Sequence, residues 1–207
     1  TTMSSNYNIT SFCHIKNHQV SLNGTVIFSE QHVGFSEFIK AAYKHQKTNY
    51  PKFFKMDHLS KLAFLAADIL LKNLKLDSEK ENNIALVFSN KAASLDTDIS
   101  HQKAIQHKDN YFPSPAVFVY TLPNICLGEI SIKYKLYTEN SFFIFERFNA
   151  EHLFSYSNSL LETNKAKSVL CGWVELEGDN YEAFLYLVSK EGHLQHNTQQ
   201  ITTLYNT

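Results

Sequence analysis

Apolar positions in this chain fall into short dense runs separated by segments of helical period. "ITSFCHI" (residues 9–15) has strand composition, and "TVIFS" (25–29) predicts a strand that pairs with it or with a nearby edge. "FSEFIKAAYKHQ" (35–46) predicts a helix with Ser36 as its N-cap. "KMDHLSKLAFLAADILLKNL" (55–74) is the clearest helix. Asp57 caps it, and Leu59, Leu62, Ala63, Ala66, Ile69 and Leu70 recur at helical spacing. Phe64, Leu65 and Leu71 make its other faces apolar too, which predicts deep burial. "NIALVFS" (83–89) reads as a buried strand, and a polar helix is expected over 96–107.

Residues 111–136 suit a strand or a buried helix, punctuated by Pro113, Pro115 and Pro123. "ENSFFIFERFNAEHLF" (139–154) predicts a strand over 141–146 that runs into a helix over 150–163. That helix has a broad apolar side (Leu153, Phe154, Tyr156, Leu160, Leu161) and a polar stripe (Ser155, Asn158, Ser159, Glu162). "SVLCGWVEL" (168–176) and "EAFLYLVS" (182–189) predict an antiparallel hairpin, and the tail from Gly192 reads as polar and loose. Strands alternating with helices imply an α/β sheet with parallel members. No repeat or linker-like stretch marks a boundary, so residues 1–207 are expected to form one domain.

Composition narrows the function classes. The 207 residues are 43% hydrophobic and 19% charged, with a net charge of −1, so there is no basic field for nucleic acid or a membrane surface. No apolar window is long enough to span a bilayer, and "TTMSSNYN" lacks the pattern of a signal peptide. The two Thr before Met3 read as an expression remnant. Three scattered cysteines, Cys13, Cys126 and Cys171, argue for a reducing cytoplasm, so the sequons at Asn8 and Asn23 read as chance matches. The six glycines are dispersed, so phosphate-cradling loops are absent and no nucleotide or other cofactor is expected.

The ten histidines offer no metal-ligand spacing: His14 and His18, His101 and His107, and His193 and His196 all read as surface groups. Asp96, Asp98 and His101 suggest acid–base work, but acids favour the first turn of a helix, and that is the better reading. Cys126 and Cys171 sit in apolar runs and read as structural thiols.

Four segments carry a resemblance. "KMDHLSKLAFLAADILL" is similar to a Lys-Met-Asp-Arg helix start. "FPSPAVFVYTLPNICLGEISIKYKL" is similar to a Ser-Pro segment followed by Pro-Asn-x-x-x-Gly and an apolar helix. "NSFFIFERFNAEHLF" and "AKSVLCGWVEL" are similar to a nucleophile-bearing strand and to the next strand, usually Gly-Gly-x-Glu. Together they resemble the N-terminal half of the β-ketoacyl-acyl-carrier-protein synthases, of thiolase-like fold. The resemblance implies one β-α-β-α-β-α-β-β repeat, with a five-stranded mixed sheet and flanking helices.

The departures shape what the resemblance implies. Aligned without gaps, the family's catalytic cysteine falls on Arg147, beside Glu146 where a small residue is usual. A guanidinium stays protonated and is a poor nucleophile. None of the histidines lies in the family's Gly-Thr context, and the half that supplies them is expected to be missing. The chain thus looks like a short chain-length factor, similar to those of aryl-polyene and flexirubin-type systems. Such a subunit makes no catalysis of its own and dimerises with a full-length synthase, which acyl carrier protein serves.

The resemblance further implies that Ser141, Phe142, Phe143, Ile144 and Phe145 form the dimer strand. It places Val117, Phe118, Tyr120 and Thr121 by the partner's acyl tunnel, as a steric ruler. Glu146 and Arg147 are expected to fill the vacated pocket as an ion pair, and the polar stripe of helix 150–163 to face water. Two other readings stand beside this one: a stand-alone homodimeric acyl-binding protein of the same fold, and a divergent thioester enzyme using Glu146 as base.

Overall fold

The structure, a computed structural model, describes residues 6–207, save the side chain of residue 110. Residues 1–5, which include the Thr pair before Met3 and most of the run read for a signal peptide, lie outside the described residues. The strands are β1 (Asn8–Lys16), β2 (Gln19–Leu22), β3 (Thr25–Ser29), β4 (Ile84–Asn90), β5 (Asn140–Ile144), β6 (Ser168–Glu177), β7 (Asn180–Ser189) and β8 (Leu194–Gln195). They form one sheet in the order β3-β2-β1-β7-β6-β4-β5, with β8 on β1. β4 pairs parallel with both β5 and β6, while β7 runs antiparallel to its neighbours β6 and β1.

The expected five-stranded sheet is therefore an eight-stranded one among the described residues. Two tight turns account for β2 and β3. Asn17 and His18 take φ of 50° and 57°, and Asn23 and Gly24 take 51° and 81°. Positive φ at both central residues is what a right-twisted two-residue hairpin demands. β2, with only four residues, is too short to announce itself by alternation.

The helices are α1 (Phe35–His45), α2 (His58–Leu71), α3 (Leu95–Ile105), α4 (Pro115–Val119), α5 (Ile125–Tyr134), α6 (Ala150–Glu162) and α7 (Thr198–Tyr205). α1 starts at Gly34, whose carbonyl accepts from Glu37 and Phe38, so Ser36 lies inside the helix and is not the cap. α2 matches its expectation closely. Asp57 caps it through Ser60 N–H at 2.9 Å, and every residue except His58 is buried. α1, α2 and α5 share one large core with the sheet. The ambiguous run 111–136 resolves into α4 and α5, separated by a turn over 120–124.

α6 and α7 share a second core on residues such as Val87, Cys171, Phe184 and Tyr186. The tail from Gly192, expected to be loose, is thus an ordered part of the fold. Asn197 caps α7 through Gln200 N–H at 2.7 Å, and Ile201 and Leu204 are buried. Tyr205 stacks on Phe148 at 4.0 Å and donates to Glu182 at 2.8 Å. The tail is polar in composition because only two positions of this short helix face inward. On α6, Ser155, Ser159 and Glu162 are exposed and Asn158 is half-buried, donating to Glu162 at 2.8 Å.

Gly172 on β6 has φ of 155°, and a Cβ there would stand 2.0 Å from the Phe184 carbonyl oxygen. No side chain fits between β6 and β7 at that point.

Ile201 makes no solvent contact (0% exposed), so Ile201→Ala leaves a hole under α7. We expect a loss of about 2–5 kcal/mol in urea unfolding, whereas exposed Thr203→Ala changes stability by less than about 0.5 kcal/mol.

Candidate functional site

β5 is the outer strand of its side of the sheet, bonded to β4 with Phe142 opposite Phe88. Phe145 lies just past β5, yet its N–H still donates to the Asn90 carbonyl at 2.9 Å, so pairing extends to that residue. Asn149 then caps α6 by accepting from His152 N–H at 2.9 Å. Strand, sharp turn and capped helix therefore stand as the sequence predicts.

α6 covers one face of β5. Phe143 meets His152 at 4.4 Å and Tyr156 at 5.1 Å, and the Ser141 and Tyr156 hydroxyls are 3.0 Å apart. Ile144 remains 51% exposed. His152, which sequence reasoning passed over, is the imidazole that packs against both Phe143 and Phe145.

Glu146 and Arg147 are both exposed. Neither takes part in an ion pair or side-chain hydrogen bond among the described residues, so the expected Glu146–Arg147 pair is not formed. The physical reason is hydration: an exposed pair gains little over two solvated charges and loses side-chain entropy. Nor do the two side chains fill the space beside them. An open cleft of about 540 Å³ remains, bounded by Arg147, Glu151 and the α7 residues Thr198 and Thr202. It is Phe148 that turns inward, edge-on to Trp173 at 6.3 Å and stacked on Tyr205.

The residues assigned to the tunnel divide. Ser114 caps α4 through Val117 N–H, with Pro115 in its first turn. Phe118 is 60% exposed and Val117 half-buried, while the Thr121 hydroxyl donates back to the Phe118 carbonyl at 2.7 Å. Tyr120 faces the interior of its own chain, which corrects its placement against a partner. Its hydroxyl donates to buried Glu129 at 2.8 Å, and Glu129 is bound by Lys52 at 2.9 Å. Burial, with Glu129 beside it, pushes the Tyr120 phenol well above its usual range. Around Phe118 the surface is unusually apolar: Tyr111, Phe112, Val119 and Leu122 are all exposed, Phe112 by 73%.

The other candidates fall out of the chemistry. Cys13, Cys126 and Cys171 are buried and free, and burial raises every thiol, Cys171 up to about 12. Asp98 accepts from the Ser94 hydroxyl and Asp96 lies 3.5 Å from His58, both in the first turn of α3. Among the described residues no group of three or more His, Cys, Asp or Glu is placed to hold a metal, and no helix is long and apolar enough to cross a membrane.

Two histidines differ from expectation. His14 and His196 are buried, not surface groups: His14 stacks on Phe184 at 4.7 Å, and His196 packs on Phe154 at 5.0 Å with Ser157 Oγ at 3.4 Å. Their positions near turns and a polar tail concealed this. Sequence reasoning also missed Glu175. Its carboxylate accepts from the N–H groups of Lys91 and Ala92, at 2.5 and 3.2 Å, and so holds the loop after β4.

The fold is that of solved ketosynthase and chain-length-factor structures. The chain is 14% identical to a chain of the ishigamide ketosynthase/chain length factor, with a TM-score of 0.61, covering 89% of this chain and 62% of that one. It is 15% identical to a chain of the ketosynthase ApeO in complex with its chain length factor ApeC from Xenorhabdus doucetiae. There the TM-score is 0.60 and the match covers 92% of this chain and 80% of that one. A third match is AntDE:AntF, a type II polyketide acyl-carrier protein in complex with its ketosynthase: 14% identity, TM-score 0.59, 90% of this chain and 63% of that one. This chain thus spans less than two thirds of the first of these structures. At such identities the likeness establishes the fold. No protein-family model matches the chain, and comparison with curated proteins gives no match.

The buried histidines carry a pH dependence. Burial lowers both imidazoles from 6.5 to about 4, with Lys16 adding to the effect at His14. The folded state keeps them neutral while the unfolded chain binds protons below about pH 6.5, so their stabilisation is complete above that pH and is lost as pH falls towards 4. The loss is roughly 3 kcal/mol for each. Urea unfolding at about pH 7 and about pH 4.5 should show it, and a His14→Phe/His196→Phe variant should flatten the slope.

Proposed function

We propose that the chain is a non-catalytic, chain-length-factor-like subunit that pairs with an active β-ketoacyl-ACP synthase and helps shape its acyl tunnel. The observation that carries this reading is the β5–α6 turn. It has the strand and capped helix of a nucleophile site, but Arg147 stands there, exposed and, among the described residues, unpaired. A guanidinium has neither the lone pair nor the pKa of an acyl acceptor. The three thiols are buried and raised, so none replaces it. The condensation chemistry then belongs to the partner, and acyl carrier protein meets that partner.

The surface supports pairing. The outer edge of β5 has no strand beyond it among the described residues, and a free edge invites strand addition. Ile144 is exposed on β5, and so are Ile132 on α5 and Tyr137 in the link to β5. Phe118 and its apolar neighbours give a second exposed surface, of the kind that marks an interface. On this reading Val117 and Phe118 reach the partner's tunnel, and Tyr120 props their turn from inside through Glu129.

Co-expression with a full-length synthase encoded nearby should give a stable one-to-one complex in size-exclusion chromatography with light scattering. A chain that stays monomeric beside that synthase defeats the proposal, and one that forms only a dimer of itself supports the stand-alone acyl-binding reading. Ile144→Lys should abolish the complex while leaving the Tm of the isolated chain nearly unchanged, because Ile144 is already half exposed. Phe118→Ala should lengthen the products of the complex by mass spectrometry. Arg147→Cys should restore no condensation. Turnover of acyl thioesters by the isolated chain would favour the enzyme reading on Glu146.

A further inference from the structure

The net charge of −1 hides a one-sided distribution. The chain as a whole has no basic field, but one face does. Residues 38–56 hold five lysines and one histidine and no acid. Lys40 and Lys44 stand on α1, Lys47 just past its end, and Lys52 and Lys55 in the turn over 51–55, all of them exposed. That turn is fixed against α1. Tyr43 stacks on Phe53 at 4.1 Å, and its hydroxyl accepts from Tyr50 N–H at 2.7 Å. Two more lysines reach the same surface from other helices. Lys72, the C-cap of α2, donates to the Gln46 carbonyl at 3.1 Å, and Lys133 on α5 donates to the Asn49 carbonyl at 3.4 Å.

The negative groups nearby are fewer. Among the described residues, Lys52 alone of the seven forms an ion pair, with buried Glu129. Asp68, also buried, accepts from the hydroxyls of Thr48 and Tyr134. Glu37, before Lys40 on α1, and Asp77, itself 3.9 Å from Lys80, stand at the margins. Asp57, beyond Lys55, has Lys61 beside it. α1, α2 and α5 all end here, and each helix C-terminus carries about half a negative charge. The seven ammonium groups outnumber the acids and helix ends of this face together. One side chain breaks the pattern. Phe54 stands between Lys52 and Lys55, 48% exposed and edge-on to Tyr43 at 5.3 Å.

We propose that this face binds the surface of an anionic lipid bilayer, with the lysines at the headgroups and Phe54 at the boundary of headgroup and acyl chain. All of its fixed positive charge is lysine, a flexible point charge, whereas fixed recognition of a folded acidic partner favours arginine. A projecting aromatic ring has no counterpart on a purely polar polyanion. A bilayer offers both a negative layer and an apolar layer beneath it. The centre of the face lies on α1, whose Phe38 and His45 meet Phe28 of β3 at 5.9 and 5.0 Å. β3 is at the opposite edge of the sheet from β5, so the proposal stands or falls separately from pairing with a synthase.

Co-sedimentation of the full chain with lipid vesicles tests it. Vesicles of phosphatidylcholine with about 30% phosphatidylglycerol should bind the chain, and pure phosphatidylcholine vesicles at least about tenfold more weakly. Salt at about 0.5 M should release it. Lys44→Gln/Lys47→Gln should weaken binding about 25-fold, at about fivefold for each lysine. Phe54→Ser should weaken it at least about threefold. Lys165→Gln/Lys167→Gln, in the link from α6 to β6, removes the same charge on the other side of the sheet and should bind like the parent. All five positions are exposed, so each variant should fold, which circular dichroism checks. The proposal is overturned if anionic vesicles do not bind, if neutral ones bind equally well, or if Lys44→Gln/Lys47→Gln or Phe54→Ser binds like the parent. An equal loss in Lys165→Gln/Lys167→Gln overturns it too. Tighter binding to poly-glutamate than to anionic vesicles, unchanged by Phe54→Ser, would assign the face to an acidic protein and likewise overturn it.

Discussion

The structure depends on the enclosure of α2. Every residue of this helix but His58 is buried, so no side of it can face water. An amphipathic helix needs cover on one face, whereas this one must be wrapped. The sheet covers one side and α1, α5 and the turn over 51–55 cover the rest. Its two carboxylates are both answered. Asp57 binds Ser60 and Thr97, and Asp68 accepts from the hydroxyls of Thr48 and Tyr134 at 2.5 and 2.6 Å. Enclosure also fixes where α3 and α4 stand, because Thr97 ties α3 to the α2 cap and Tyr120 ties the end of α4 to Glu129 on α5.

Catalysis and assembly separate cleanly in this geometry. A nucleophile needs one side chain of the right pKa at the turn after β5. Strand addition needs only backbone groups along the outer edge of β5. With Arg147 at that turn the backbone groups stand in place, since Phe145 N–H reaches Asn90 and Asn149 caps α6. Glu146 and Arg147 are both exposed, so the turn holds its backbone while these side chains face solvent.

Much of this was legible in the sequence because burial writes a periodic signal. α2, α6 and the β6–β7 hairpin repeat apolar residues over enough length to name themselves, and Asp57 announces its cap. The edges were harder. β2 is four residues long, and the Asn23-Gly24 pair, a strong hairpin signal, is masked by the sequon it also forms. α7 hides two buried residues among polar ones, so composition described it wrongly. At the candidate site, the position of Arg147 was legible, since strand and helix fix the turn. The inward turn of Tyr120 and the clamp by Glu175 were not, because each depends on a residue outside its own element.

The parallel strands β4, β5 and β6 end at a rim where α/β sheets usually bind ligands. Here that rim is bolted by polar contacts. Glu175 on β6 holds the N–H groups of Lys91 and Ala92, and Ser89 donates to the Gly172 carbonyl at 3.1 Å. Asn90 brackets Ala93, accepting its N–H at 3.0 Å and donating to its carbonyl at 2.9 Å, which stabilises the positive φ of 52° there. Local polar bonds that support a strained backbone keep a loop in one shape. A rim with a nucleophile would use that rigidity to aim it. Arg147 is exposed at the neighbouring turn, and the polar contacts fix the shape of the rim. On the proposed reading, a fixed rim beside the outer edge of β5 suits a surface that another protein must fit.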